Sequence, residues 1–170
     1  MVQSFHSRAY TLIEMLVVLV IAGLFVALVS TIAHPDEKGL LRIEAQRLAQ
    51  LFDVAATESR LTGKTIGWTA DASGYRFWRL REVSGWTPIG EGETLRARAL
   101  PDGMTISALR VENVPTQAGV RLEFAAYGPA LSFVVQMAMG TERSAVVGSP
   151  SGEVRVAVSE GGIGVETAQR

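Results

Sequence analysis

The sequence predicts an α+β fold in which a long N-terminal helix, first transmembrane and then amphipathic, packs on a mostly antiparallel β domain of two sheets. Three observations predict it. An apolar run without charge extends from Met15 to Ala33. Apolar and small residues then recur every three or four positions as far as Gly63, which is the spacing of an amphipathic helix. Beyond Gly63, segments of strand length alternate with turns that contain Gly or Pro.

The first element, residues 10–34, is expected to be a transmembrane helix. Met15 to Ala33 spans about 28 Å as a helix, close to the roughly 30 Å hydrocarbon core of a bilayer. Arg8 precedes the run, so the positive-inside tendency places the N-terminus in the cytoplasm and exports everything after residue 34. Glu14 lies at the edge of the run, where an unpaired carboxylate is costly and therefore indicates a function.

Two other interpretations of this segment stay open. An ordinary secretory signal peptide would have a shorter apolar region followed by a small-residue cleavage site, which Ala27 or Ser30 could imitate. A plain single-span anchor would explain the apolar run but not the position of Glu14.

The second element, residues 35–62, is expected to continue the helix in amphipathic form. Pro35 interrupts the first segment but is favourable in the first turn of a new one. The predicted apolar stripe is Leu41, Ala45, Leu48, Phe52, Ala55 and Ser59, and Gly63 is the predicted stop. The predicted polar face is Arg42, Glu44, Gln46, Arg47, Gln50 and Asp53.

Residues 63–158 are expected to form the β domain, and residues 159–170 a flexible tail. The predicted strands are Thr65–Thr69, Tyr75–Val83, Leu95–Leu100, Met104–Val111, Val120–Ala125, Leu131–Met137, Ser144–Val147 and Glu153–Val158. Turns such as Asp71-Ala72-Ser73-Gly74 and Pro101-Asp102-Gly103 separate them.

Composition argues against several functional classes. The chain has no Cys and only two His, His6 and His34, so the exported domain lacks the bases that Ser or Cys nucleophiles require. We therefore expect no catalytic residue, no metal site and no cofactor; the paired Glu91 and Glu93 stand in a Gly-rich segment typical of an exposed loop. The net charge of −1 argues against generic nucleic-acid binding.

A group of arginines near two tryptophans permits two interpretations. Bases can stack on aromatic rings beside cations, so these residues could bind nucleic acid. The alternative, which the near-neutral charge favours, is that the arginines are solvated strand faces. The arginines are Arg76, Arg79, Arg81, Arg96 and Arg98, and the tryptophans are Trp78 and Trp86.

The segment Arg8-Ala9-Tyr10-Thr11-Leu12-Ile13-Glu14, followed by the apolar run, resembles the N-terminus of type IV pilin-like proteins. The resemblance implies that residues 1–9 are a leader, which a prepilin peptidase removes between Ala9 and Tyr10. It also implies N-methylation of Tyr10 and pairing of Glu14 with the N-terminal amine of a neighbouring subunit during assembly. Most members have Gly before the cut, where this chain has Ala9, which is small enough for cleavage to be expected.

Later residues are similar to those of the H-type minor pseudopilins of type II secretion, the GspH/FimT group. The cues are Asp71-x-x-Gly74 before Tyr75-x-Phe77, Gly85-Trp86, Leu100-Pro101-x-Gly103, Phe124-x-x-x-Gly128 and Ser149-Pro150-x-Gly152. The group usually has Pro where this chain has Tyr127. The resemblance implies a pilin-like fold and a bacterial inner-membrane protein whose C-terminal domain is periplasmic.

The same resemblance implies a structural role and a set of partners. The protein would link the tip subunits of types I, J and K to the major G-type shaft of a pseudopilus that drives export of folded proteins. Prepilin peptidase and inner-membrane lipid would be its other partners. Two alternatives stay open: a FimT-like minor pilin of a type IV pilus involved in priming or DNA uptake, and a membrane-anchored periplasmic enzyme or binding module.

Overall fold

A computed structural model describes residues 11–32, 36–116 and 119–158. The chain divides into two compact units at Asp36. The predicted leader, Ala9 and Tyr10 lie outside the described residues, as do residues 33–35 and the predicted tail, 159–170.

The first unit contains one described helix, α1, Leu12–Ile32. It is apolar on every side, and all of its described side chains, as far as Ala27, are exposed in the single chain. Leu12 is 84% exposed and Phe25 64%. In the described part of the chain, no helix is both long and apolar enough to qualify as a membrane span.

The second unit begins with helix α2, Glu37–Thr62. The predicted apolar stripe is confirmed, because each of its six residues is buried. The helix ends at the predicted stop: Gly63 adopts a φ of 68°, and its N–H donates to the Ser59 carbonyl at 3.0 Å. Glycine adopts this left-handed conformation without steric cost, which is why it terminates helices.

Ten strands follow within the described residues, paired antiparallel in two sheets. They are β1 Ile66–Ala70, β2 Gly74–Arg81, β3 Gly85–Pro88, β4 Arg98–Ala99, β5 Met104–Val111, β6 Val114–Pro115, β7 Leu122–Phe124, β8 Phe133–Met139, β9 Glu142–Gly148 and β10 Val154–Val158. The first sheet has the order β3-β2-β1-β7, with β4 also paired to β2, and the second has the order β10-β9-β8-β5-β6.

Phe52 of α2 forms the centre of the core. Its ring lies 5.2 Å from Trp68 of the first sheet and 5.2 Å from Phe133 of the second, both in edge-to-face geometry, and 5.3 Å from Phe124. Such aromatic pairs add to the stabilisation that burial alone provides. The helix therefore joins the two sheets through one aromatic cluster, which confirms the predicted α+β fold.

Two predictions for the second unit are wrong. The strand predicted over Leu95–Leu100 is far too long: only Arg98 and Ala99, as β4, pair with β2, and Leu95 enters the core from a turn, 1% exposed. Glu44 is not on the exposed face but is 9% exposed and forms an ion pair with Arg47, one helical turn away. The sequence also failed to indicate β3 and β6.

Candidate assembly sites

The first candidate site is the start of α1, where Glu14 lies in the first helical turn. The backbone N–H of Glu14 donates to the Thr11 hydroxyl at 3.3 Å and to the Thr11 carbonyl at 3.0 Å. Thr11 is therefore the N-cap, and Thr-x-x-Glu is the sequence of a capping box, a signal that the sequence analysis did not use. The Glu14 carboxylate makes no ion pair with any described residue.

The side-chain surface of α1 is the second feature of this unit. Its large apolar residues are exposed, including Val17 at 48% and Leu19 at 73%. A helix that is apolar all round is stable only when an apolar environment covers it. Among the described residues, none covers these side chains.

The outward face of α2 carries a second, weaker apolar stripe. Leu40, Ile43, Val54 and Leu61 are 38%, 53%, 38% and 82% exposed. Their positions follow the three-and-four spacing of one helix face. Whereas the buried stripe packs against the sheets, this stripe is exposed and is available for contact with another helix.

Arg79 fastens α2 to the first sheet. Its guanidinium lies 2.6 Å from the Glu58 carboxylate of α2 and 2.7 Å from that of Glu93 in the loop after β3. The hydrogen bond from Arg79 holds the pKa of Glu93 below its ordinary value. Glu93 thus has a structural partner, and the paired carboxylates Glu91 and Glu93 do not stand as a free acid–base pair.

A buried hydroxyl makes another link between α2 and the same sheet. Ser59, fully buried, donates to the backbone carbonyl of Phe124 at 2.7 Å. Elsewhere in the core of this unit, burial, together with the Glu44 carboxylate, raises the pKa of Tyr75 to about 12. These polar groups serve packing, and among the described residues no three His, Asp or Glu side chains are grouped as metal ligands.

The outer side of the first sheet carries the tryptophans that the sequence singled out. The register places Trp78 opposite Gly67 and Pro88, and Leu80 opposite Trp86, so these residues share one side of the sheet. The opposite side holds the buried Tyr75 and Phe77 and packs into the core.

Arg121, which the sequence analysis missed, organises this surface. Its guanidinium carbon lies 4.2 Å from the ring centre of Trp86 and 5.3 Å from that of Trp78. Arg76 lies 6.0 Å from the Trp78 ring, and the Trp78 indole N–H donates to the Thr69 hydroxyl at 2.8 Å. We call Arg76, Trp78, Trp86 and Arg121 the aromatic–arginine face.

Gly67 makes this stacking possible. A Cβ at residue 67 would lie 2.2 Å from Cδ of Arg121 and 2.8 Å from the Trp86 ring. Only the absence of a side chain in the middle of β1 allows Arg121 to cross the strand and reach both rings. The arginines of the predicted group are divided accordingly: Arg76 joins this face, whereas Arg79 binds the two carboxylates on α2 and the loop.

Two of the loops noted in the sequence meet near the end of α2. Gly128 and Ser149 line a cavity of about 60 Å³, together with Phe124 and Gly152. Two segments on which the resemblance to the GspH/FimT group rests are therefore also neighbours in space. They are Phe124-x-x-x-Gly128 and Ser149-Pro150-x-Gly152.

Comparisons with known proteins agree with this geometry. A model described as "Prokaryotic N-terminal methylation motif" matches residues 4–30, and one described as "Type II transport protein GspH" matches residues 44–162. A solved structure of the minor pseudopilin EpsH from the type 2 secretion system of Vibrio cholerae is 15% identical, with a TM-score of 0.61 over 73% of this chain and 99% of that chain.

A second solved structure of EpsH from Vibrio cholerae is 16% identical, with a TM-score of 0.61 over 71% of this chain and 97% of that chain. At these sequence identities, the similarity shows a shared fold alone. No curated protein sequence matches this chain significantly.

Proposed function

Since this chain belongs to the GspH family of type II transport proteins, we propose that it is a structural minor pseudopilin of the type II secretion pseudopilus. The observation that carries the proposal is the family match over residues 44–162, preceded by the methylation motif at residues 4–30. In more detail, the proposal is that the protein links tip subunits of types I, J and K to the major G-type shaft.

Membrane anchoring follows from the same two matches. The protein is a membrane-anchored periplasmic protein, and the proposed anchor runs from residue 10 to 34, with the N-terminus in the cytoplasm. The anchor therefore includes residues on both sides of the described range of α1. The exposed apolar surface of α1 supports this, because that surface requires lipid before assembly and neighbouring helices afterwards.

Glu14 is proposed as the residue that sets subunit register. Prepilin peptidase cuts between Ala9 and Tyr10, Tyr10 becomes the methylated amino terminus, and the Glu14 carboxylate pairs with that amine on a neighbour. An isolated carboxylate in an apolar medium is strongly disfavoured, so one register satisfies both charges and others leave them unpaired. The absence of an ion pair at Glu14 within the described chain supports a partner outside it.

The first experiment is in-cell crosslinking of the tagged full chain, with mass spectrometry of its partners and of its own N-terminal peptide. We expect secretion pseudopilins as partners and a methylated Tyr10 terminus. Pilus subunits with the same terminus would instead assign the protein to a type IV pilus. An uncut Met1 terminus without pilin-like partners would overturn the proposal.

The role of the carboxylate is tested by Glu14→Leu, with Thr11→Ala as its matched control. Glu14→Leu should leave insertion and folding intact and reduce the crosslinks to neighbouring subunits severalfold. Thr11→Ala removes only the cap oxygen and should retain those crosslinks. Normal co-assembly and secretion by Glu14→Leu would refute the register role.

A further inference from the structure

The aromatic–arginine face lies on the side of the first sheet that the described part of the chain leaves open. The inner side of that sheet packs on α2 through Phe52 and Trp68, whereas on the outer side Trp78 and Trp86 are only partly buried and Arg76 is exposed. Leu80, 40% exposed, and the exposed Pro88 extend the apolar part of the same surface.

Tryptophan and arginine are the residue types that dominate binding energy at protein interfaces. Here they are also held in place before any partner arrives. Trp78 is fixed by its hydrogen bond to Thr69, and Arg121 is confined between two indole rings. Little side-chain freedom remains to be lost on binding, which favours affinity.

The two arginines of the face retain hydrogen-bonding capacity. Neither Arg76 nor Arg121 lies within ion-pair distance of a carboxylate of the described chain. Stacking occupies the flat side of a guanidinium and leaves its N–H edge, which matches the two oxygens of a carboxylate.

The charges around the face favour an acidic protein segment over nucleic acid. Nucleic-acid binding without sequence preference depends on many cations along a track, and this face has two in a chain of net charge −1. Arg121, confined beside two apolar rings, and the exposed Arg76 match one or two carboxylates flanked by apolar side chains.

We propose that the aromatic–arginine face is a docking surface for an acidic segment of another protein, whose carboxylates pair with Arg121 and Arg76 while its apolar side chains lie on Trp78 and Trp86. The inference is independent of the register role of Glu14. It also does not require the partner to be a fibre subunit.

The test places a photo-crosslinking amino acid at Leu80 of the full chain in cells, with the same amino acid at Leu131 as the control position. The two leucines are equally exposed, at 40% each, but Leu131 borders the cavity near the end of α2. The crosslinked peptide captured at Leu80 is sequenced. We expect it to contain Asp or Glu, and its replacement by Gln or Asn to reduce capture.

Two variants test the geometry and the charge separately. Gly67→Ala keeps every charge and both tryptophan side chains but displaces Arg121 and the Trp86 ring, and Arg121→Gln removes the charge. Each should reduce capture at Leu80 at least fivefold. Gly92→Ala, where an added Cβ meets no atom within 4 Å, and Arg155→Gln, an exposed arginine of β10, should leave capture unchanged.

Tryptophan fluorescence of each variant checks that the domain is folded. If Gly67→Ala does not fold, Arg121→Gln alone decides, because it removes a partly exposed side chain. Capture that survives Arg121→Gln, a captured peptide without an acidic residue, captured nucleic acid, or no capture at Leu80 from a folded chain would each overturn the proposal.

Discussion

Helices α1 and α2 have similar lengths, 21 and 26 residues, but opposite relations to the rest of their chain. Every described side chain of α1 is exposed, whereas nine residues of α2 are buried against the two sheets. The apolar residues of α1 therefore serve contacts outside the described chain, and those on one side of α2 serve its own core. Both apolar content and spacing distinguish these roles, because α1 is apolar on every side and α2 confines its buried residues to one stripe.

The comparison between α1 and α2 implies that the two helices tolerate substitution differently. A change in the buried stripe of α2 should lower the free energy of unfolding of the second unit. A change of the same chemistry in α1 should leave that free energy unaltered and act on membrane insertion or assembly. All three tryptophans, Trp68, Trp78 and Trp86, lie in the second unit, so their fluorescence reports its unfolding alone.

The largest expected difference is between Phe52→Ala and Phe25→Ala. Phe52 is fully buried among four aromatic rings, and truncating a buried Phe costs about 3–5 kcal/mol. Phe25 is 64% exposed on α1, so Phe25→Ala should change the free energy of unfolding by less than about 0.5 kcal/mol. Urea unfolding of the full chain in detergent, followed by tryptophan fluorescence, measures both. If the two variants lost equal free energy of unfolding, the proposed difference between the helices would be wrong.

A smaller effect is expected from Ser59→Ala, which tests whether α2 is held to the first sheet by a polar link as well as by packing. Removing the hydroxyl leaves the buried carbonyl of Phe124 without its donor, at a cost of about 1–3 kcal/mol. Thr62→Ala is the control, since its hydroxyl bonds an exposed carbonyl of α2 itself. The same unfolding measurement applies, and a loss for Ser59→Ala no greater than for Thr62→Ala would exclude the link.

The smallest effect concerns the ion pair between Arg79 and Glu93. Because the pKa of Glu93 is lowered in the folded chain, the pair contributes stability above the ordinary value of 4.5 and loses it as the pH falls through the lowered value. Glu93 is largely exposed, so the contribution at pH 7 should be below about 1 kcal/mol. Glu93→Gln should remove that contribution and flatten the acid side of the stability profile.

Urea unfolding at pH 7 and at several values below 4.5 measures the profile. Glu91→Gln, a neighbouring exposed glutamate without an ion pair in the described chain, is the control. A profile for Glu93→Gln that parallels the unsubstituted chain at every pH would show that the pair between Arg79 and Glu93 contributes no stability.

The parts of the fold that the sequence predicted are those governed by local periodicity. Spacing identified the buried stripe of α2, and alternation with turn residues identified β5 with its observed bounds. Alternation failed at Leu95–Leu100, because Leu95 is buried by tertiary packing of a turn rather than by a strand. The exposed assignment of Glu44 failed because a charged side chain at the edge of the stripe is buried with its partner Arg47.

The candidate sites likewise divide into those that local sequence reveals and those that depend on tertiary contacts. Glu14 could be singled out because one charge beside an apolar run is visible in the sequence, and its role stays a prediction. Arg121 could not, because its meeting with Trp78 and Trp86 depends on the pairing of β7 with β1, which are distant in sequence. The one local signal was Gly67, a glycine in the interior of a strand, which often marks the close approach of another group.

Gly67 and Arg121 also define a rule for relatives of this chain. A side chain at residue 67 and a long side chain crossing over it at residue 121 compete for one volume, so the two substitutions exclude each other. Among aligned relatives, these two columns should covary, with glycine at the first wherever arginine stands at the second. That covariation would separate chains that have this surface from those that lack it, without any structure being determined.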